Sequence, residues 1–239
     1  MGNGNGDGLV WTYSGAITAF DLPPIYQQTP FRIPVVRFNG TSEEADTLDA
    51  AFWSLLSGGV DAAFTLGAWL NVLNTAASRV ILSKRDVQSA LREWSFLVVG
   101  TDVLRLNLFD ESTDAGILRD SDTAITQGVL RFLVATYDGR GGSDAGDGIT
   151  LYDNGRVLAS TATNDGSYVD MEDLTVLPAL GFNIGGSGPA NFYESIMLGG
   201  VLGPAVAQRQ LTDAQVFNWY HTGLQCQKAS FPLGRRRGR

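Results

Sequence analysis

The chain holds one cysteine, Cys226, and one histidine, His221, in 239 residues. An internal disulfide is excluded, and so is a cysteine metal cluster. Zinc sites draw on several His or Cys ligands, so most zinc chemistry goes with them. A Ser-His-Asp arrangement would have to run through His221 alone. No apolar run approaches membrane-spanning length, so no membrane partner is expected. The opening stretch, residues 1–8, lacks the positive start and apolar core of a secretory signal. The chain is therefore expected to stay where it is made. Positive charge is scarce, with 17 Lys and Arg against 25 Asp and Glu, and the formal net charge is −8. Four of the arginines, Arg235, Arg236, Arg237 and Arg239, sit in the last five residues; removing them takes the charge from −8 to −12. An acidic body repels nucleic acid over most of its surface. The basic tail is a local feature suited to an acidic neighbour, another copy of the chain included.

Glycine is plentiful at 29 residues and the apolar fraction is 44%, which suits short strands joined by tight turns and is too apolar for disorder. Residues 1–34 read as a docking arm, with a Gly/Asn leader, then Trp11, Tyr13, Phe20, Tyr26 and Phe31 among Pro23, Pro24, Pro30 and Pro34. The arm either folds back on its own sandwich or lies on a neighbour, and the acidic body with its basic tail favours a neighbour. From Val35 the apolar residues recur with period two. Phe64, Leu66, Ala68 and Leu70 alternate with Thr65, Gly67, Trp69 and Asn71, while Leu104, Leu106 and Leu108 face away from Arg105 and Asn107. Residues 129–137 are apolar on both faces, as in a central strand. Asn154-Gly155 between two apolar runs predicts a type I′ hairpin. One helix is expected after Leu211, with Thr212 as cap, Gln215 closing a capping box, Leu211 stapled to Val216, Trp219 and Tyr220 as its apolar contacts, His221 in its last turn and Gly223 as its end. A second short helix is expected around residues 49–56.

The order of these segments resembles the laminin-G-like branch of the concanavalin A-like lectin/glucanase superfamily. Val36-Arg-Phe-Asn-Gly-Thr-Ser looks like its first core strand and turn. Ala63-Phe-Thr-Leu-Gly-Ala-Trp-Leu70 and Ile81-Leu-Ser-Lys84 follow in the family's order. After them come Glu93-Trp-Ser-Phe96, Val134-Ala-Thr-Tyr-Asp-Gly139, Leu151 to Ser160, Phe182 to Gly186, and Leu211 to Val216. The resemblance implies an all-β jelly-roll sandwich of two antiparallel sheets over residues 35–223, followed by a basic tail at 224–239. The family's acidic strand before the final helix is missing, since Ile196 to Val206 carries no acid.

Some members of the superfamily hydrolyse glucans with alternating acids on a strand, which sets two carboxylates across a sugar. Here Glu43-Glu-Ala-Asp46 and Asp170-Met-Glu-Asp173 are expected in loops or on a short helix, as surface acids, so no enzyme is expected. The glycine-rich stretch 138–148 offers Asp138, Asp144 and Asp147 as oxygen ligands for calcium, against the alternative of a solvated connection whose Asp and Gly serve turn geometry. Trp53, Tyr168 and Tyr193 lie outside the clearest strands and are the candidates for stacking on a sugar, while Trp69 and Trp94 are expected inside. Partner contacts are assigned to Trp11, Tyr13, Phe20, Tyr26, Arg235, Arg236, Arg237 and Arg239. These readings converge on a non-catalytic structural or binding protein of a large assembly. The assembly expected is a phage virion, where the chain would be a head-decoration or tail protein made in the host cytoplasm. Its partners would be other virion proteins, in an oligomeric array, and host glycans. A stand-alone carbohydrate-binding module is the alternative, and a glucan hydrolase comes last.

Overall fold

A computed structural model describes residues 12–14, 18–21, 34–73, 77–185, 188–190, 193–198 and 203–230. They form two packed antiparallel sheets, a small hairpin and one helix. The first sheet runs, neighbour by neighbour, through Thr12–Ser14, Glu44–Asp46, Pro178–Leu180, Arg79–Asp86, Leu91–Val98, Leu104–Asp110, Ala115–Ser121 and Ser160–Thr163. The second runs through Arg156–Val157, Ile149–Asp153, Leu130–Tyr137, Phe64–Asn71, Glu194–Leu198, Pro34–Asn39 and Thr18–Asp21. Between the sheets lie Phe64, Leu66, Ala68 and Leu70 from one side, and Leu82, Trp94, Phe96, Leu104, Leu106 and Leu108 from the other. The period-two pattern is the cause: one face of each strand enters a shared apolar layer. Asn154 and Gly155 both take positive φ, 52° and 75°, as the hairpin turn requires.

Two strands come from within residues 1–34. Thr12–Ser14 pairs with Glu44–Asp46, and Thr18–Asp21 pairs with Pro34–Asn39. The expectation of a neighbour-docked arm is corrected for these segments, which add to the chain's own sheets. Such pairing satisfies backbone groups that a sheet edge leaves open. Trp11, Tyr26, Arg235, Arg236, Arg237 and Arg239 lie outside the described residues.

Trp69 points away from the inter-sheet core. With Phe132, Val134 and Tyr152 it forms a second apolar cluster, on which the helix Asp213–Ser230 docks through Val216, Trp219, Tyr220 and Leu224. That explains why Phe64–Asn71 and Leu130–Tyr137 are apolar on both faces. The capping box forms as expected, with Gln215 N donating to Thr212 Oγ1 at 3.3 Å and Thr212 N donating to Gln215 Oε1 at 3.0 Å. Tyr220 stacks on Trp69 at 5.4 Å, and Trp219 meets Phe132 edge-on at 4.8 Å. Two expectations are corrected. Gly223 does not end the helix and His221 is not in its last turn, because the helix continues to Ser230. Gly223 is instead where the helix touches the sheet: a Cβ there would lie 2.6 Å from Trp69 Nε1. The segment around residues 49–56 holds a single 3-10 turn, Ala51–Trp53.

A bulge breaks the pairing of Arg79–Asp86 with Leu91–Val98. Lys84 lies opposite Trp94 and Arg85 opposite Arg92, leaving Glu93 as the extra residue. Lys84 and Glu93 are both fully buried and form an ion pair. Lys84 Nζ also reaches Asp49 Oδ1 at 3.1 Å, Ser54 Oγ at 3.2 Å and Leu174 O at 2.5 Å. Glu93 Oε1 accepts from Leu174 N at 2.8 Å, while its buried Oε2 has no donor among the described residues. Burial pushes the Glu93 carboxyl up to about 7, against the opposing pull of Lys84.

Two outcomes follow from this packing. Gly223→Ala gains about 1 kcal/mol in helix propensity, yet the new methyl meets a Trp69 ring already stacked on Tyr220. Overpacking of that kind costs about 1–3 kcal/mol, so the variant should melt below wild type in calorimetry, and a higher melting temperature would show the helix is not seated on Trp69. Lys84→Met should cost about 3–5 kcal/mol by stranding a buried carboxylate. The folded Glu93 carboxyl titrates near 7, above its ordinary 4.5, so its contribution is present at low pH and lost as pH rises through 7. Urea titrations at pH 5 and pH 8 should therefore show a smaller gap between Lys84→Met and wild type at pH 5; an equal gap would mean that Glu93 does not carry the loss.

Candidate functional site

The strands Arg79–Asp86, Leu104–Asp110 and Leu130–Tyr137 finish at the end of the sandwich where Phe64–Asn71, Leu91–Val98 and Ala115–Ser121 begin. Loops 138–148 and 164–174 meet there. Asp61, 5% exposed, ties them together: its Oδ2 accepts from Tyr137 Oη at 2.7 Å and from Tyr168 Oη at 2.8 Å, and its Oδ1 accepts from Met171 N at 2.7 Å. Asp170 Oδ1 accepts from Asp61 N at 2.9 Å, and Gly141 N donates to Tyr137 Oη at 2.9 Å. Desolvation raises the Asp61 carboxyl, although its three donors pull it down. Burial, followed by the Asp61 charge, pushes the Tyr137 and Tyr168 hydroxyls well up, so both stay protonated and donate. Gly139, at φ +78°, lets the loop press on the backbone beneath, since a Cβ there would lie 2.5 Å from Ala63 N. Gly142 N donates to Val169 O at 2.6 Å, and Asp110 Oδ2 accepts from Val169 N at 3.0 Å. The glycine-rich stretch is thus a pinned loop and not a solvated connection.

Its exposed rim carries Arg140, Asp144, Asp147 and Asn164, with Val60 and Val169 exposed beside them. Asp138 grips Arg140 with both oxygens, Nη2 at 2.7 Å and Nε at 3.0 Å from Oδ2. Asp144 lies 3.9 Å from Arg140 Nη1, and Asp147 Oδ2 accepts from Asn164 Nδ2 at 3.2 Å. This corrects the calcium expectation. The positive charge among Asp138 and Asp144 is a guanidinium, Asp147 faces another partner, and no group of three His, Cys, Asp or Glu among the described residues is arranged to hold a metal. The three aspartates do not fit a calcium ion, which would have to displace Arg140.

On the outer face of the first sheet, at the same end, Arg85 and Arg92 both lie over the Phe109 ring, at 4.8 and 5.4 Å from its centre. Glu111 holds Arg92 with two oxygens, at 2.6 and 2.9 Å, and Asp114 pairs with it too. Further along this face Ser83, Ser95 and Asn107 form a buried polar row, with Asn107 Nδ2 donating to Ser95 Oγ at 3.0 Å.

The structure also relocates the expected sugar-stacking residues. Trp53, Tyr168 and Tyr193 are 2%, 2% and 0% exposed, so none offers a ring face to a ligand. Tyr168 serves Asp61, and Tyr193 donates to Asn71 O at 2.5 Å. Trp69 and Trp94 are buried, as expected. The exposed aromatic among the described side chains is Phe217, on the helix beside His221. It follows from the helix period: Val216, Trp219, Tyr220, Gly223 and Leu224 make the buried stripe, which leaves Phe217 and His221 outside it. Glu44–Asp46 is a strand and not a loop, because Ala45 is fully buried and both edges are paired. Glu44 and Asp46 therefore share one face; desolvation, then Asp46, raises the Glu44 carboxyl. Asp49, three residues on, is held by Lys84. Asp170 and Asp173 are engaged by Asp61 N and Ser54 Oγ. Arg85, Arg92, Phe109 and Arg140 were not legible as a site, because the bulge and loop closure that gather them leave no spacing signal.

Solved structures share this fold. The binding domain of Paraclostridial Mosquitocidal Protein 1 matches with a TM-score of 0.60 at 14% identity, over 91% of this chain and 48% of that one. The Botulinum Neurotoxin serotype G binding domain matches at 0.63 and 11%, over 92% and 48%. The Botulinum Neurotoxin DC binding domain, solved with SialylT, matches at 0.58 and 8%, over 90% and 46%. The chain thus spans about half the length of each. No curated protein matches it. The family model described as the Concanavalin A-like lectin/glucanases superfamily matches residues 45–197, well over half of the sequence. The chain belongs to that superfamily.

Proposed function

We propose that this chain is a non-catalytic, lectin-like binding domain whose ligand surface is the loop end of the sandwich. The observation that carries the reading is how the acids at that end are used. Asp61, Asp170, Asp173 and Glu93 are spent on fastening loops, while the rim presents preset polar groups, Arg140, Asp144 and Asn164, beside exposed Val60 and Val169. Fixed donors and acceptors next to an apolar surface are what a polyol ligand needs. The solved structures support the reading by analogy, since they are binding domains, one bound to SialylT and another to rat synaptotagmin II.

The setting we propose is the surface of a phage virion, as head decoration or tail, with the chain attached to other virion proteins in an oligomeric array and turned toward host glycans. What supports it is the charge layout, an acidic body with Arg235–Arg239 at one end, which suits packing of copies or of a neighbour. Purified particles should contain the chain in stoichiometric amount; particles that form without it would sink this setting and leave the binding reading intact.

On a glycan array the wild-type chain should bind a restricted glycan set, and Arg140→Ala with Asn164→Ala should weaken it by about tenfold or more, the loss of one or two hydrogen bonds. Laminarin, lichenan and carrageenan should stay uncleaved. Sugar release that disappears in Glu44→Gln would make the chain an enzyme and end the proposal.

A further inference from the structure

At the loop end one charged group has no hydrogen-bonded counter-charge among the described residues. Arg85 makes no hydrogen bond and no ion pair among the described residues, and its buried Nε meets no acceptor. Its guanidinium lies over Phe109, 4.8 Å from the ring centre, which limits its freedom before any ligand arrives. Directly across the bulge stands Arg92. Like charges opposite one another on neighbouring strands are destabilising. Among the described residues only Arg92 of the two is bonded directly to carboxylates, those of Glu111 and Asp114. Asp86, next in sequence to Arg85, is turned away, accepting from Gln88 N at 2.8 Å and Ser89 N at 3.1 Å. Burial and then the Arg92 charge weigh against the charged form of Arg85, and the Glu111 charge only partly opposes them. A half-buried, stacked arginine with no direct counter-charge, beside a second arginine, is a local conflict that a bound anion removes, and bulges commonly re-aim side chains in this way at functional positions.

We propose that Arg85 anchors a sugar carboxylate, the acid group of a uronic or sialic acid, on the outer sheet face beside the loop end. This rests on the binding reading above and names its ligand class. The carboxylate follows from the surroundings. Glu111 and Asp114 hold the neighbouring Arg92, and they penalise a doubly charged phosphate more than a singly charged, planar carboxylate that matches the guanidinium fork. A polyacidic peptide is disfavoured by the −8 net charge. A sugar acid brings one charge on a neutral polyol.

The test uses the full chain and ligand-observed NMR with N-acetylneuraminic acid, glucuronic acid, the methyl ester of each, and acetate. Wild type should bind the acids at least about tenfold more tightly than their esters, the scale of one lost charge-assisted hydrogen bond. Arg85→Met keeps an apolar stem over Phe109 and should bind acid and ester alike. Arg85→Lys should recover part of the preference, since a point charge replaces the fork. An ester bound as well as its acid by wild type overturns the proposal, as does an acid preference that survives in Arg85→Met. Acetate bound as tightly as the sugar acids overturns the sugar half. If either of the first two results overturns the Arg85 assignment, array binding to neutral glycans that persists in wild type leaves the lectin reading standing and removes Arg85 alone. Equal thermal unfolding of Arg85→Met and wild type shows that the comparison is between folded proteins.

Discussion

Lys84 Nζ is the point at which four separate pieces of the chain are held together. It sits on a strand of the first sheet, takes Glu93 from the next strand, Asp49 and Ser54 from the segment around the 3-10 turn, and Leu174 from the long loop. Charges are rarely buried because desolvation costs more than one contact returns. Here the ammonium meets acceptors on several sides, which is the condition under which such a group is tolerated. An apolar residue of the same size would fill the space without specifying where loop 164–174 must lie. The pair therefore trades stability for placement, and the placement is of the loop that carries Tyr168, Val169, Asp170 and Met171 to Asp61.

The bulge belongs to the same constraint. Strict alternation would send Glu93 to the outer face and Arg92 to the core. Inserting one residue lets Glu93 meet Lys84 and sets Arg92 opposite Arg85 beside Phe109. The buried pair and the half-buried arginine pair are thus two sides of one register shift, and neither can be moved without the other.

Most of the architecture was legible in the sequence because it rests on short-range rules. Alternation gave the strands, Asn154-Gly155 the hairpin, and Leu211, Thr212 and Gln215 the start of the helix, each a signal contained within a few residues. The misreadings share a different origin. Gly223 looked like a stop because glycine usually ends helices, and only the position of Trp69, more than 150 residues earlier, shows it to be a contact. Trp53, Tyr168 and Tyr193 looked free because they lie off the regular strands, yet irregular segments that close over a sandwich end bury their aromatics as thoroughly as strands do. The Asp138–Asp147 stretch looked like a cation site, and it is one; the cation is Arg140, two residues along. Composition shows which charges are present and cannot show which of them meet.

Rigidity and exposure are reconciled at the loop end by putting the two on different atoms. Asp61, Tyr137 and Tyr168 lie below the surface and fix the backbone, so the loops need no internal hydrophobic core of their own. The side chains above are then free to remain polar and solvated without leaving the loop loose. Arg140 and Arg85 show the two outcomes available to a cation in that position. Arg140 is clasped by Asp138 and its charge is answered within the chain. Arg85 is oriented by Phe109, which supplies geometry but no counter-charge. An aromatic ring can hold a guanidinium in place while leaving its hydrogen-bond donors unclaimed, whereas a carboxylate does both at once. That difference is why Arg85 can offer an unanswered charge to something outside the chain, while Arg140 offers only the donors that Asp138 leaves over.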